Sequence, residues 1–303
     1  MTDLRETTGV IFDLDQTAIH DGPGVRMNVY LKGCPLHCLW CHSPESQRFE
    51  PEIIWYETRC VGCGRCVQAC PQGVRTLGLM TDEERGRCTL CGDCVAVCSA
   101  GALEMIGRTV TAGEVADEAQ RLKPFFARTG GGVTLTGGEA TAQPELAHAI
   151  ASLCHEAGIH VAMETCGVAR WAVFGRLLPV VDLFLYDLKH PAPEVHREVT
   201  GVDNEQVLEN LSALIAADAD VVVRMPLIPG INDDGGTVRA IARLAAERGI
   251  ERITLLPYNP ATPGKYSWVR REPPLPGAER QSPEQVARLE GICRDEGLAV
   301  EPA

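Results

Sequence analysis

Val25-Arg-Met-Asn-Val-Tyr-Leu-Lys-Gly-Cys34-Pro-Leu-His-Cys38-Leu-Trp-Cys41 runs a short apolar stretch straight into three cysteines spaced C-x3-C-x2-C. Residues 25–31 read as a strand, and the cysteines as a loop at its carboxyl end. Three closely spaced thiolates can each take one iron of a 4Fe–4S cube. No fourth cysteine stands close by in the sequence, so one iron stays open. An open metal position is what a catalytic centre needs and a structural one avoids. A zinc site completed by His37 or His42 is the alternative, but this spacing fits zinc knuckles poorly.

The same pattern of strand and chemistry-bearing loop repeats downstream. Residues 132–136, 160–164, 183–188, 221–228 and 253–258 are short apolar runs rich in β-branched residues. Amphipathic segments 145–156, 205–217, 237–247 and 283–296 alternate with them, with Asn204 and Ser282 as N-caps and Gly158, Gly249 and Gly297 at helix ends. This alternation implies a parallel sheet. About six strands fall short of the eight in a closed barrel, so an α/β fold is expected, a partial (β/α)6 TIM-like barrel. Functional loops then belong at the strands' carboxyl ends. Thr136-Gly-Gly-Glu139, Glu164-Thr-Cys-Gly167, Asp187-Leu-Lys189, the 229–233 loop and Pro257-Tyr-Asn259 each fall there.

Between the first loop and the second strand the chain carries two further cysteine runs. Cys60-x2-Cys63-x2-Cys66-x3-Cys70 and Cys88-x2-Cys91-x2-Cys94-x3-Cys98 repeat the bacterial ferredoxin pattern, in which the fourth cysteine of each run serves the other cluster. One 4Fe–4S cluster is thus assigned to Cys60, Cys63, Cys66 and Cys98, the other to Cys88, Cys91, Cys94 and Cys70. Residues 51–107 are expected to form this inserted ferredoxin-like domain, and residues 1–50 and 108–303 the partial barrel. Cys154 and Cys293 lie in helix-like stretches and read as small buried apolar residues. Cys166, inside the Glu-Thr-Cys-Gly motif, is expected near the site.

Of 303 residues, 28 are basic and 41 acidic, a net charge of −13 that argues against a nucleic-acid-binding surface. No apolar run approaches a membrane span and no signal peptide is evident, so a cytoplasmic monomer is expected. Fourteen cysteines in reducing surroundings cannot be a disulfide framework. One motif misleads. Asp13-Leu-Asp15-Gln-Thr17 looks like the nucleophile motif of haloacid-dehalogenase-type phosphatases, yet Gln16 stands where that pattern usually has Gly. An ordinary N-terminal strand suits it better.

Together these residues resemble the glycyl-radical-enzyme activating enzymes, of the pyruvate formate-lyase activating type, within the radical S-adenosylmethionine family. The matching stretches are residues 18–26, Lys32-Gly-Cys-Pro35 with its cysteine triplet, Thr136–Glu139, His196–Gly201, Met225–Asp233 and Leu255–Tyr258. The ferredoxin-like insertion is similar to that of the subgroup serving eliminases, decarboxylases and benzylsuccinate-type synthases. The resemblance implies that the open iron chelates S-adenosylmethionine and that a reduced cluster splits its sulfonium. The resulting 5′-deoxyadenosyl radical then takes hydrogen from a glycine of a partner glycyl radical enzyme. A low-potential electron donor of flavodoxin or ferredoxin type is implied with it.

The resemblance also suggests roles for single residues. Trp40 would pack near the adenine, Gly137 and Gly138 would let backbone approach the ligand, and Glu139 would receive its ammonium group. Asp187 and Lys189 would contact nucleotide and carboxylate, with Glu164 and Arg224 as further contacts to ribose and carboxylate. Many relatives have His where this chain has Asn259, an amide that cannot titrate near neutrality. Residues 259–276, with five prolines, read as an irregular lid. The alternative activity is a radical enzyme acting directly on a small molecule with auxiliary clusters. Relatives of that kind usually carry those clusters after the barrel.

Overall fold

The computed structural model describes residues 3–261 and 263–302. Its strands are β1 (Thr8–Ala18), β2 (Arg26–Leu31), β3 (Glu52–Trp55), β4 (Leu103–Ile106), β5 (Arg108–Thr111), β6 (Gly132–Gly137), β7 (His160–Thr165), β8 (Leu183–Asp187), β9 (Val221–Leu227), β10 (Arg252–Pro257) and β11 (Ala299–Glu301). Three single-turn helices, α1 (Arg65–Gln68), α2 (Asp82–Gly86) and α3 (Asp93–Ala96), fall between β3 and β4. Then come α4 (Ala112–Thr129), α5 (Pro144–Glu156), α6 (Trp171–Leu177), α7 (Pro193–Thr200), α8 (Glu205–Ala216), α9 (Gly235–Ala246), α10 (Pro263–Trp268) and α11 (Pro283–Asp295).

Nine strands form one sheet in the order β11-β10-β9-β8-β7-β6-β2-β1-β5. The six strands expected from the sequence are β2 and β6 to β10, and they lie side by side, parallel throughout. Strand periodicity of two sorts their side chains. Met27, Val29, Val133, Leu135, Val161, Met163, Phe184, Tyr186, Val223 and Met225 face one way and form the main core with residues of α4, α5, α6, α8, α9 and α11. The alternate positions give the other face, where Ala162, Leu183, Leu185 and Val222 make a small apolar cluster. Asn28, Thr134, Thr136, Glu164, Asp187 and Arg224 share the parity of that face. One side of the sheet is therefore sealed by helices, and the other carries polar groups.

β1 pairs antiparallel with both β2 and β5. The misleading Asp13–Thr17 motif lies on this strand, where Asp15 accepts hydrogen bonds from Thr17 and Asp13 from the Leu14 amide. It is local turn chemistry on an antiparallel strand.

Several expectations change. The longest helix, α4, has no counterpart in the sequence reading, because Pro124 interrupts its pattern. It forms nonetheless, held at its start by a reciprocal Thr111–Glu114 capping box and ended by Gly130 in the left-handed region. Ser282 caps α11 as expected. Asn204 does not cap α8 with its side chain: its amide donates to the carbonyls of His190 and Pro191 instead. The expected irregular lid contains α10, whose Tyr56–Trp268 edge-to-face contact ties it to the segment after β3.

Candidate functional site

The loop of Cys34, Cys38 and Cys41 is held by backbone contacts from several elements. Gly33 N donates to Ser46 O at 2.7 Å and Cys34 N to Gln47 O at 3.1 Å. From the far side of the sheet's end, the last carbonyls of α7 take part: His37 N donates to Thr200 O at 2.8 Å and Leu39 N to Val199 O at 3.0 Å. The His196–Gly201 motif thus cradles the cysteine loop, using carbonyls that a helix C-terminus leaves free. Tyr266 of α10 closes the loop by donating its hydroxyl to Cys41 O at 3.2 Å. Burial pushes the Cys38 thiol up to about 11, with Lys189 opposing. The Cys34 and Cys41 thiols are also raised, chiefly by burial. Such thiols are held as ligands only where a metal displaces their protons.

The Gly137–Gly138 pair allows a close backbone approach within the chain itself. A Cβ on Gly137 would stand 2.2 Å from Leu31 O, and one on Gly138 2.4 Å from Gly33 O. The glycines admit the backbone of the cysteine loop, which Gly138 N and Glu139 N then bind through Leu31 O and Gly33 O. Glu139 is also tied inward. It is only 2% exposed. Its carboxylate accepts from Thr141 N at 3.0 Å, Thr141 Oγ1 at 2.6 Å, Thr165 Oγ1 at 2.8 Å and Cys166 N at 2.7 Å. A carboxylate with four internal donors joins the ends of β6 and β7 and has little capacity left for a ligand's ammonium.

On the polar face, Arg224 gathers three carboxylates. Its Nη2 lies 3.0 Å from Glu164 Oε1, its Nη1 3.4 Å from Asp21 Oδ1, and its Nε 3.9 Å from Asp187 Oδ1. Thr136 Oγ1 donates to Glu164 at 2.6 Å. Lys189 Nζ donates to Asp187 Oδ2 at 2.7 Å. Burial by itself would lower the Lys189 pKa, but Asp187 and the Cys38 and Cys166 thiols outweigh it and the net shift is upward. Asp187 Oδ1 and Arg224 Nε are buried without a hydrogen-bond partner. The two face each other within this buried charge cluster.

Trp40 is half-buried on the turn between Cys38 and Cys41. Asn259 is exposed; its amide Nδ2 lies 3.0 Å from His42 Nε2, and its Oδ1 accepts from Ala261 N at 3.0 Å. The amide is therefore directed at the cysteine loop. Cys166 is buried beside Glu139, and the Cys34 thiol is among the charges that raise its pKa, after burial and Glu139.

Sequence reasoning missed Asp21, which lies outside any strand-end motif. It also missed Asn232, whose amide donates to Lys189 O and Pro226 O, each at 2.8 Å, while its oxygen takes Ile228 N at 2.6 Å. Position in the 229–233 loop was the available signal. Lys32 is a third omission. Fully buried, it donates to Glu45 O at 2.6 Å and to Glu52 Oε1 at 3.0 Å, and Glu52 in turn accepts from Arg85 at 3.0 Å.

The other eight ferredoxin-pattern cysteines line two cavities between β3 and β4. The larger is walled by Cys60, Cys63, Cys66 and Cys98, the smaller by Cys70, Cys88, Cys91 and Cys94. The fourth cysteine of each run stands in the opposite cavity, as the crossed assignment requires. The thiols do not close on a point: among the described residues no three His, Cys, Asp or Glu side chains are grouped to hold a single metal ion. Along β3, Glu52 meets Lys32 beside the first cysteine loop, Ile53 lines the smaller cavity and Trp55 the larger.

Comparison with known proteins agrees with this geometry. The Radical SAM superfamily matches residues 28–245. The choline trimethylamine-lyase activating enzyme of Oleidesulfovibrio alaskensis is 39% identical over 96% of each chain. The isethionate sulfite-lyase activating enzyme of Nitratidesulfovibrio vulgaris is 39% identical over 95% of this chain and 96% of that one. A radical SAM methyltransferase structure from Sphaerobacter thermophilus, 17% identical, shares the fold with a TM-score of 0.56 over 92% of this chain and 66% of its own. No helix among the described residues is long and apolar enough to cross a membrane. The chain is an enzyme of the radical S-adenosylmethionine superfamily and belongs, within it, to the glycyl-radical-enzyme activating enzymes.

Proposed function

We propose that this protein generates the glycyl radical of a partner enzyme, using S-adenosylmethionine and a 4Fe–4S cluster on Cys34, Cys38 and Cys41. The observation that carries the reading is the pairing of that three-thiol loop with an adjoining polar face where Arg224 gathers Glu164, Asp21 and Asp187 and Lys189 pairs with Asp187. The bound cluster would supply the electron that cleaves S-adenosylmethionine, whose 5′-deoxyadenosyl radical takes hydrogen from the partner's glycine.

The chain's own residues supply binding and exclusion of water. Lys189 and Arg224 offer positive charge to a carboxylate, and Asp187 and Glu164 offer acceptors to ribose hydroxyls or an ammonium. Trp40 offers an apolar plane for adenine. Glu139, Gly137 and Gly138 act one step back, fixing the backbone around the loop, and Asn259 orients His42.

The sheet is read as a partial barrel, six parallel strands with helices on one face. Residues 51–107 are read as an inserted ferredoxin-like domain, and the two four-cysteine cavities support two auxiliary 4Fe–4S clusters there, three in all. A low-potential carrier of flavodoxin or ferredoxin type would deliver electrons to a monomer in the cytoplasm. Anaerobic reconstitution is expected to give about 12 irons per chain. With reductant and S-adenosylmethionine it should release 5′-deoxyadenosine and produce a glycyl-radical doublet on a partner encoded nearby. Consumption of a small molecule with no partner present would favour the alternative activity.

A further inference from the structure

One side chain belongs to both auxiliary cavities. Arg75 lines the larger and the smaller alike and is only 3% exposed. Its Nη2 donates to Gly78 O at 2.6 Å, but Nε and Nη1 are buried with no hydrogen-bond partner. No carboxylate pairs with it among the described residues. A guanidinium does not give up its proton, so the charge stays. Burying it with two open donors is costly unless something anionic and rich in acceptors meets it. A thiolate-bound iron–sulfur cluster is such a body. The cavity walls offer thiols on both sides of Arg75.

We propose that Arg75 is a positioning residue shared by the two auxiliary clusters, its open nitrogens donating to their sulfur atoms and its charge raising both reduction potentials. The proposal rests on reading the cavities as 4Fe–4S sites. Net charge and hydrogen bonds to sulfur are two of the levers that set a cluster's potential. A low-potential protein carrier gives up one electron, and the cluster that accepts it becomes more negative by one charge. Arg75 compensates that charge without taking up a proton. Arg75 lines both cavities, and along β3 the smaller cavity's Ile53 is next to Glu52, the partner of Lys32.

The test uses the full-length protein, anaerobically reconstituted, as wild type, Arg75→Gln and Arg75→Lys. Iron and sulfide are counted, and potentials are read by spectroscopic titration with dithionite. Arg75→Gln should keep its iron and lower both auxiliary potentials, each by at least tenfold in the reduction equilibrium, which is 59 mV for one electron. Arg75→Lys should stay within threefold of wild type, and the catalytic cluster should move in neither. Unchanged potentials in Arg75→Gln, or a shift of one cluster alone, overturn the proposal. Loss of auxiliary iron from both variants, with the catalytic cluster intact, assigns Arg75 to loop folding through Gly78 and also overturns it. Wild type holding only about four irons refutes the reading of the cavities themselves, a failure visible before any variant is made.

Discussion

Replacing Glu139 by Gln separates the two roles open to that carboxylate. Four internal donors converge on it, three on Oε1 and Cys166 N alone on Oε2. A glutamine can keep its oxygen toward the three donors only by turning its NH2 group on the Cys166 amide, donor against donor. One buried donor left unmet costs about 1–3 kcal/mol. The three remaining bonds lose their charge assistance, roughly half their strength, for about 2 kcal/mol together. The total, about 3–5 kcal/mol, lowers an unfolding midpoint by roughly 6–20 °C at 2–4 °C per kcal/mol. Anaerobic thermal unfolding should show that loss, while S-adenosylmethionine binding, measured well below the midpoint, stays within about twofold. The opposite pattern refutes the reasoning: an unchanged midpoint with affinity down tenfold, about 1.4 kcal/mol, would mean that Glu139 holds the ligand's ammonium after all.

Asn232→Ala removes three buried hydrogen bonds around Lys189 O and should cost about 2–4 kcal/mol; thermal unfolding measures it, and weaker S-adenosylmethionine binding should accompany it. Lys32→Met leaves Glu52 with Arg85 as its buried partner and should cost about 1–3 kcal/mol, and adding Glu52→Gln to it should cost less than Glu52→Gln alone, a coupling that a double-mutant cycle reads directly. The pKa of His196 is lowered, mainly by burial, as are those of His148 and His160. Folded pKa values below the unfolded one mean that the unfolded chain binds protons first, so stability is present above about pH 6.5 and is lost as pH falls through the folded values. Denaturant unfolding from pH 7.5 to 5 should show that decline, and His196→Asn should flatten it.

What was legible in the sequence follows from which interactions are local. The six parallel strands are short β-branched runs broken by helices, and the four cysteines lining each cavity are grouped as the ferredoxin pattern of the two runs leads one to expect. The alternation along β8, Leu183, Leu185 and Asp187 against Phe184 and Tyr186, already assigns Asp187 to the polar face. The internal contacts of Glu139 and the glycine pair were not legible for a common reason. A motif beside a ligand-binding loop can touch the ligand or the loop, and only the contacts of Gly138 with Gly33 decide which. Asp21 and Lys32 were illegible because their partners, Arg224 and Glu52, stand far away in the chain. α4 was hidden by Pro124, which local propensity counts against a helix and a capping box with tertiary packing overrides.

The position of the cysteine-rich insertion also has a physical logic. The chain leaves the nine-stranded sheet after Leu31 and returns at Arg108 of β5, and β3 and β4 bring the ends of the cysteine-rich segment together, Glu52 opposite Ile106. Adjacent ends let a segment be inserted with little distortion of its host. Adjacency alone would leave the insertion free to pivot. Lys32 of the catalytic loop and Arg85 of α2 share the Glu52 carboxylate, so one buried acid fastens the insertion to the residue two places before Cys34. α10 and the residue after it add a second fastening, Trp268 packing edge-to-face on Tyr56 and Val269 O accepting from Arg85 at 3.4 Å. Breaking a buried ion pair costs far more than breaking an exposed one. The Lys32–Glu52 pair, rather than the exposed Arg48–Asp82 bridge, therefore fixes the spacing between the first cysteine loop and the two four-cysteine cavities.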